Sequence, residues 1–365
     1  MSSTAHDMHR LQKALLLALG VAAVTLALAA CGSGGGSAGG GSVEEPEGTV
    51  RVMAEHELLE SAMVKGFEKE YPKVSIEAIE IEGSSEAATK LSAGFSTDVV
   101  ETCTGESAPL LQRGLLQPLE TSKLTSWDEL DPSLRTAKGT QENGDQMFIP
   151  LQAGPHGLIY NTEAFPEGVT EIKELFNPEL AGKVAMDGSY SAMIPMTAFS
   201  LGIEEPYSMS EAQLEEVAEY LDEHASQFRT FPESDANQLN LMKSGEVVLM
   251  DGGLGTADEM IEGGVPVKWV APKEGMYAWV CGLGISTDAK NANAAYALIT
   301  YYSSIAAQTR FGNEGYVVVN KNAVPKVEAA YRETADPASI KGAIIEQTPP
   351  DPQKWLEIFQ GVISG

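Results

Sequence analysis

Basic residues are scarce in this 365-residue chain. It has 24 lysines and arginines against 52 aspartates and glutamates, which gives a formal net charge of −28 at pH 7. Nucleic-acid phosphates and anionic lipid headgroups are bound by basic surfaces, so the charge argues against both as partners. An acidic surface attracts cations, and it also keeps a protein soluble, an effect that needs no ligand.

The patterns that usually mark an enzyme are also missing. The five histidines show no paired spacing of the kind that binds a metal. Residues 49–365 contain no Gly-x-Ser-x-Gly nucleophile motif. The glycine-rich run at 252–255 lacks the lysine of a phosphate-binding loop. The sequence therefore predicts a protein that is not an enzyme and that uses no cofactor and no metal.

Long apolar runs are rare, and the most pronounced one, at 14–30, lies near the N-terminus. It follows Arg10 and Lys13 and is slightly short for a membrane span, which is the pattern of a secretory signal peptide. It ends in Leu28-Ala29-Ala30-Cys31, the lipobox pattern in which the cysteine receives a diacylglyceryl group. We therefore expect a signal peptide at 1–30 and a lipid anchor on Cys31, on the extracytoplasmic side of the cell membrane. The alternative is an ordinary signal peptide that happens to be followed by a cysteine.

Two segments follow the predicted signal peptide. Residues 31–48 consist mainly of Gly, Ser and Glu, which indicates a flexible tether. The remaining body, of roughly 315 residues, is too large for one ordinary core, so two lobes or domains are expected.

Strand-like and helix-like segments alternate through the body. Strands are expected at 49–53, 73–81, 98–100, 157–161, 246–250, 267–270 and 279–285. Helices are expected at 60–71, 86–95, 110–116 and 293–310, and another begins at Ser210 with a capping pattern. This alternation predicts an α/β fold with mostly parallel sheets.

Polar side chains follow several of these strands, where ligands bind in open α/β sheets. Three groups of candidates follow such strands: Glu55, His56 and Glu57; Thr102, Cys103, Thr104, Gly105 and Glu106; and Asp251. Asp187 and Tyr190 follow a further short apolar run at 184–186. For each acid the alternative is a solvated loop or helix-capping carboxylate.

Several segments resemble the spermidine/putrescine-binding proteins of ABC transporters, which are type II extracellular solute-binding proteins. They are 148–161, 176–184, 244–247, 267–291 and 312–320. The resemblance implies a two-lobe, periplasmic-binding-protein-like fold in which hinge strands cross between two mostly parallel sheets. The first lobe would take 49–150 plus 280–324, and the second 151–279 plus 325–365. The ligand would lie between the lobes, and a monomer would deliver it to the permease subunits of an importer.

The resemblance also implies ligand-binding residues. A polyamine needs carboxylates for its ammonium groups and aromatic faces for its methylenes. This chain matches the family at Glu57, Trp279 and Tyr316. It departs from the family at four places: Glu55 and Asp251 stand where the family has aromatic residues, Thr104-Gly105-Glu106 replaces an aromatic loop, and Cys281 replaces an acid. The predicted ligand-binding residues are Glu55, Glu57, Glu106, Asp187, Asp251, Trp279 and Tyr316.

The sequence therefore predicts a lipid-anchored solute-binding protein for a small cationic solute, with a polyamine favoured. The alternatives are another amine, an amino-acid derivative or a metal ion, or a surface sensor or adhesion lipoprotein with the same fold. Trp279 and Tyr316 could instead serve packing, and the neighbours Tyr301 and Tyr302 fit a core helix. For Cys103 and Cys281, a disulfide, two independent thiols and a soft-metal site all remain open.

The anchor is testable with a single substitution. If Cys31 carries the lipid, Cys31→Ser should move the protein from the membrane fraction to the soluble fraction, because nothing else is predicted to hold it there. Fractionation and immunoblotting measure this, with Ser33→Ala as a control that should stay on the membrane. Membrane retention of Cys31→Ser would contradict the prediction.

Overall fold

The computed structural model describes residues 45–364. The predicted signal peptide, Cys31 and most of the predicted tether lie outside the described residues, so these predictions stay predictions. Within residues 45–364, none of the helices combines the length and the apolar character that crossing a membrane requires.

The described chain alternates strands and helices, as the sequence predicts. The strands are β1 (Gly48–Ala54), β2 (Val74–Glu80), β3 (Val99–Cys103), β4 (Leu116–Gln117), β5 (Gln141–Glu142), β6 (Asp145–Gln146), β7 (Phe148–Asn161), β8 (Val184–Ala185), β9 (Phe228–Thr230), β10 (Leu249–Gly253), β11 (Val267–Val270), β12 (Tyr277–Ser286), β13 (Val317–Val318) and β14 (Ile344–Ile345). The helices are α1 (His56–Leu59), α2 (Ser61–Glu70), α3 (Ser84–Ser92), α4 (Ala108–Gln112), α5 (Pro132–Arg135), α6 (Tyr190–Ser200), α7 (Glu211–His224), α8 (Asp235–Ser244), α9 (Leu254–Glu262), α10 (Ala292–Tyr302), α11 (Ile305–Asn313), α12 (Arg332–Ala335) and α13 (Pro352–Ser364).

One path of hydrogen-bonded strands runs through the molecule in the order β2-β1-β3-β12-β7-β10-β8-β9. On one side β1 pairs in parallel with β2 and β3, and on the other β8 pairs in parallel with β10 and β9. Between them the long strands β7 and β12 pair antiparallel, from Tyr277 opposite His156 to Gly284 opposite Phe148. The predicted α/β fold, with two mostly parallel halves joined by crossing strands, is confirmed.

Buried apolar residues form a core on each side of the crossing strands. One core gathers residues of β1, α2, α10, α11 and β13, and a second gathers residues of α6, α7, β8 and α13. A smaller cluster lies beside each of them: one holds residues of α3 and α4, and the other holds residues of α9 and β11. We call the two sides the first and the second lobe.

The predicted lobe boundaries need one revision. Residues 325–365 were all expected in the second lobe, but Val327, Ala335 and Ile340 pack in the first core. Only the end of the chain, from Trp355 in α13, packs in the second core. We therefore propose that the first lobe also takes roughly 325–340. Leu151, Ala153 and Ala278, which the predicted bounds place in the second lobe, pack in the first core as well.

The long helix predicted at 293–310 is two helices. α10 ends at Tyr302, and Ser304 caps α11 by accepting a hydrogen bond from the Ala307 amide. A serine side chain satisfies an amide that the first turn of a helix leaves free, so it favours a helix start inside a continuous apolar pattern. The predicted helix at 110–116 is also shorter, because Leu116 belongs to β4.

Other local predictions are confirmed. Ser210 and Gln213 form the expected capping box at the start of α7. Tyr302 is fully buried and donates its hydroxyl hydrogen to the Leu58 carbonyl, and Tyr301 packs in the same core.

Gly282 lets the crossing strands approach closely. A Cβ atom at this position would lie 2.0 Å from the Ile149 carbonyl oxygen of β7, a backbone atom that cannot move aside independently. The register of β12 against β7 also shifts between Cys281 and Gly282. Only glycine fits this approach without displacing a strand.

Gly282→Ala should therefore lower the free energy of unfolding by about 1–3 kcal/mol, the usual cost of overpacking a tight site. Chemical denaturation measures this. Gly361→Ala is the matched control, because a Cβ at Gly361 in α13 meets nothing within 4 Å and should leave stability unchanged or slightly raised. Equal stability of the two variants would contradict the close approach.

Candidate functional site

A cavity of about 240 Å³ lies where both lobes meet the crossing strands. Its lining residues are Gly154, Pro155, His156, Asp187, Asp235, Gln238, Gly253, Leu254, Gly255, Thr256, Glu259, Trp279, Glu314, Gly315 and Tyr316. Three of the predicted ligand-binding residues, Asp187, Trp279 and Tyr316, are among them. Larger grooves of about 660 and 690 Å³ lie on the second lobe alone. The smaller cavity is therefore the candidate site, because it joins both lobes and the predicted residues.

Two aromatic rings form one wall of this cavity. The ring centroids of Trp279 and Tyr316 are 6.0 Å apart, with the planes at 78°. Trp279 packs over Gly154 of β7, where a Cβ would lie 2.5 Å from the indole ring. The two rings thus present both a face and an edge, which suits methylene groups and ammonium groups.

A group of carboxylates lies on the first lobe outside the lining of the cavity, and it includes the predicted residues Glu55, Glu57 and Glu106. Glu55 and Glu57 follow β1, and the charge of Glu57, after burial, contributes to raising the pKa of Tyr316. The Glu55 amide donates to the Glu101 carboxylate at 2.7 Å. We call Glu55, Glu57, Glu101 and Glu106 the first-lobe carboxylates.

Burial and mutual repulsion disfavour ionisation of these groups. Burial, then the charges of Glu57 and Glu106, raises the pKa of Glu55 to about 7. Glu101 is 3% exposed, and burial followed by the charge of Glu55 raises its pKa to about 8. The sequence analysis missed Glu101. The sequence feature that could have indicated Glu101 is an acid within an apolar strand, next to Val99 and Val100.

The loop after β3 meets the C-terminal segment of the chain. The Glu106 carboxylate accepts from the Ser84 amide at 3.1 Å and remains exposed. A Cβ at Gly105 would lie 2.5 Å from the carboxyl carbon of Glu346, so glycine makes room for that side chain. Burial, then the charge of Glu106, raises the pKa of Glu346 to about 8. No pattern in the sequence pointed to Glu346.

On the second lobe a buried histidine and two aspartates are linked. His156 Nε2 lies 3.1 Å from Asp251 Oδ2, and Asp251 Oδ1 accepts from the Asp187 amide at 2.7 Å. Burial alone lowers the pKa of His156, but the hydrogen bond and charge of Asp251 raise it overall. The His156 ring stacks on Tyr277 with centroids 4.8 Å apart.

Asp251 was predicted to bind the ligand, but it is not among the residues that line the cavity. It has no exposed surface, and both its oxygens are engaged. It holds His156 and the loop of Asp187, whose own carboxylate accepts from Gln238 at 3.1 Å. Gln238 Oε1 is buried beside the cavity without a hydrogen-bond partner among the described residues.

The lining of the cavity is acidic, and one of its acids, Glu314, forms an ion pair with Arg310. Of the described residues that line the cavity, none is lysine or arginine, and His156 is the one basic side chain. Carboxylates in such surroundings gain most from a positively charged ligand. Across residues 45–364, no three His, Cys, Asp or Glu side chains are arranged to hold a metal ion.

Cys103 and Cys281 form a disulfide in the structure. They are directly opposite each other on the neighbouring antiparallel strands β3 and β12. Of the three alternatives that the sequence left open, the structure contains this one. The bond ties the crossing strand β12 to the loop that carries Glu106.

The chain is similar in sequence to two known binding proteins. A spermidine/putrescine-binding periplasmic protein of Escherichia coli strain K12 is 29% identical over 192 residues, 52% of this chain and 53% of that protein. A putrescine/agmatine-binding protein of Pseudomonas aeruginosa is 25% identical over 270 residues, 67% of this chain and 71% of that protein. The chain thus spans about half the length of the first of these relatives.

A solved structure shares the fold. It is the spermidine/putrescine ABC transporter substrate-binding protein PotD from Streptococcus pneumoniae in complex with calcium and HEPES, with a TM-score of 0.75 and 18% identity. The match covers 87% of this chain and 97% of that one. This agrees with the predicted two-lobe fold.

The family match covers most of the described chain. Residues 62–338 match the family described as bacterial extracellular solute-binding protein. This confirms the resemblance inferred from the sequence: the chain belongs to the bacterial extracellular solute-binding proteins.

Proposed function

We propose that this protein is the solute-binding component of an ABC importer and that its ligand is a small organic cation, with a polyamine such as putrescine or spermidine favoured. The observation that carries the proposal is a cavity that is walled by the Trp279 and Tyr316 rings and has no lysine or arginine in its lining, with Glu57 of the first-lobe carboxylates close enough for its charge to act on Tyr316. The similarity to proteins that bind spermidine, putrescine or agmatine supports it.

The mechanism is reversible binding between the lobes. Ammonium groups of the ligand pair with ionised carboxylates, and its methylenes lie on the aromatic rings. β7 and β12 both pass between the lobes, so closure is a hinge motion at these strands. No covalent step is needed, and the family consists of binding proteins rather than enzymes.

The surroundings of the protein follow from this role. We propose that it acts as a monomer outside the cytoplasm, that Cys31 anchors it to the membrane by lipid, and that its protein partners are permease subunits. No nucleic acid is expected as a partner.

A different solute is the second candidate. His156 places one basic side chain in the cavity, and it would suit a carboxylate of the ligand. That favours an amino-acid derivative over a metal ion.

A surface sensor or adhesion lipoprotein is the third candidate, and it would not respond to any small solute.

A thermal-shift screen of the full chain separates these candidates. Putrescine, spermidine, agmatine, amino acids, sugars and divalent metals are the probes. A ligand at a hundredfold excess over its Kd adds about 2.7 kcal/mol of stability, which is readily visible. Stabilisation by amines alone supports the proposal, stabilisation by another class replaces it, and no response favours a non-transport role.

Removing one charge at the site should weaken amine binding. Glu57→Gln should cost about 1–3 kcal/mol of binding free energy, the usual worth of a hydrogen bond to a charged group, as measured by calorimetry. Asp251→Asn should also weaken binding, because it loosens His156 and the Asp187 loop. Glu70→Gln, on the exposed face of α2, is the control. Wild-type affinity in both site variants would sink the proposal.

Stability without ligand should fall as pH rises from about 5 to above 8. Glu55, Glu101 and Glu346 have folded pKa values above the ordinary value, so the folded state holds more protons than the unfolded state in this range. His156 acts in the same direction, because its raised pKa contributes stability that is lost as it deprotonates. An amine ligand should offset the fall, since it favours the ionised carboxylates.

Denaturation at pH 5.5 and 8.5, with and without saturating putrescine, measures this dependence. Glu101→Gln should flatten the profile without ligand, because it removes the most buried carboxylate of the first-lobe group. A stability that rises with pH in the wild-type protein would show that these carboxyls ionise freely.

A further inference from the structure

The helix α9 has two faces that serve different lobes. Ala257 and Met260 are fully buried and pack in the second lobe with β7 and β11. Gly255, Asp258 and Glu262 are spaced three and four residues apart, so they lie along one other face. Each of these three residues meets a residue of the first lobe.

The central contact is a hydrogen bond between the lobes. The Thr334 hydroxyl, on α12, donates to Asp258 Oδ2 at 2.7 Å. Thr334 is 5% exposed, and its neighbour Ala335 packs in the first core. α12 also packs on α11 and β13, which are first-lobe elements. The bond therefore joins two helices that have separate cores.

Two further contacts flank this bond. At the far end of α9, the Tyr331 hydroxyl faces the Glu262 carboxylate, which raises the pKa of Tyr331 to about 12. At the near end, the backbones of Gly255 and Gly315 meet, and a Cβ at Gly255 would lie 3.1 Å from the Gly315 carbonyl oxygen. Both glycines also line the ligand cavity. The contacts thus form a continuous strip that begins at the cavity wall and leads away from it.

The strip works against local repulsion. The charges of Glu262 and Glu333 act on Asp258, and that of Glu328 acts on Tyr331. Without the hydroxyl donors, carboxylates of both lobes would face each other across this contact. Thr334 is therefore placed where a neutral donor turns a repulsive contact into an attractive one.

We propose that α9 and α12 form a latch that holds the two lobes closed and prolongs the ligand-bound state without touching the ligand. Its effect on ligand release rests on the proposed function, whereas its effect on lobe contact does not. Closure then has two separate sources, the ligand inside the cavity and the latch outside it.

The test uses Thr334→Val, which keeps the side-chain shape and removes the donor. In the full chain, dissociation of putrescine or spermidine, followed by stopped-flow tryptophan fluorescence, should speed up about tenfold, while the preference between the two amines stays unchanged. Thr334→Ser should restore the wild-type rate. Thr309→Val is the matched control, because Thr309 donates only to the Ile305 carbonyl of its own helix.

Hydrogen exchange followed by mass spectrometry gives a readout that needs no ligand. Thr334→Val should raise amide exchange in α9, across the lobe boundary, and Asp258→Ala should raise it in α12. The double variant should be no worse than either single variant, since both remove the same bond. Faster exchange confined to the mutated element, or unchanged dissociation of a bound amine, would overturn the latch. If no amine binds the wild-type protein, the proposed function fails, and the exchange experiment still decides the latch.

Discussion

The antiparallel pairing of β7 with β12 is the constraint on which the rest of the structure depends. β12 pairs with β3 of the first half and β7 pairs with β10 of the second, so the pairing of β7 with β12 joins the two halves. Gly282 permits the close approach, and the Cys103–Cys281 disulfide fixes β12 to the first lobe. Gln308 adds to this: its amide donates to the Leu151 and Tyr302 carbonyls, and its oxygen accepts from the Val319 amide. The hinge is thus well defined, and the residues at its edges have fixed positions.

Several cavity residues owe their places to these two strands. His156 lies on β7, and Trp279 lies on β12 opposite Gly154. The carboxylates enter from the strand ends on either side, so acids from distant parts of the sequence share one space. Buried carboxylates without basic partners cost stability. A chain retains such a cost where the charge serves binding, as native proteins commonly do at functional sites.

The sequence was informative where local rules decide the structure. Period-two alternation located β1 and β2 to within one residue at each end, and the pattern at Ser210 located the start of α7. The strand-end rule found Asp187, because a short buried strand is followed directly by a polar loop. Trp279 and Tyr316 came from the family resemblance, and both line the cavity.

The residues that sequence reasoning missed depend on contacts distant in the chain. Glu346 lies near the site because β14 pairs with β12 through two residue pairs. No local pattern in the sequence predicts this short pairing. His156 was hidden inside a strand, and its partner Asp251 is ninety-five positions away. Asp251 can be buried because both its oxygens have hydrogen-bond partners. The position of Asp251 along its strand does not reveal these partners. The break between α10 and α11 depends on one serine cap against a continuous apolar pattern.

The carboxylates and the interlobe contacts act on the same equilibrium in opposite directions. Ionising Glu346 beside Glu106 is unfavourable while the lobes are in contact, so in the proposed mechanism the ionised form of Glu346 favours an open molecule. We propose that a cation between the lobes removes the repulsion and that the hydrogen bond between Asp258 of α9 and Thr334 of α12 then adds to closure. A ligand shifts the equilibrium between open and closed lobes only as far as its affinities for the two states differ. Repulsion in the absence of ligand increases that difference, and so it enlarges the change in lobe closure on binding. In this proposal, the acidic character of the cleft selects the charge of the ligand and also sets how strongly binding is coupled to closure.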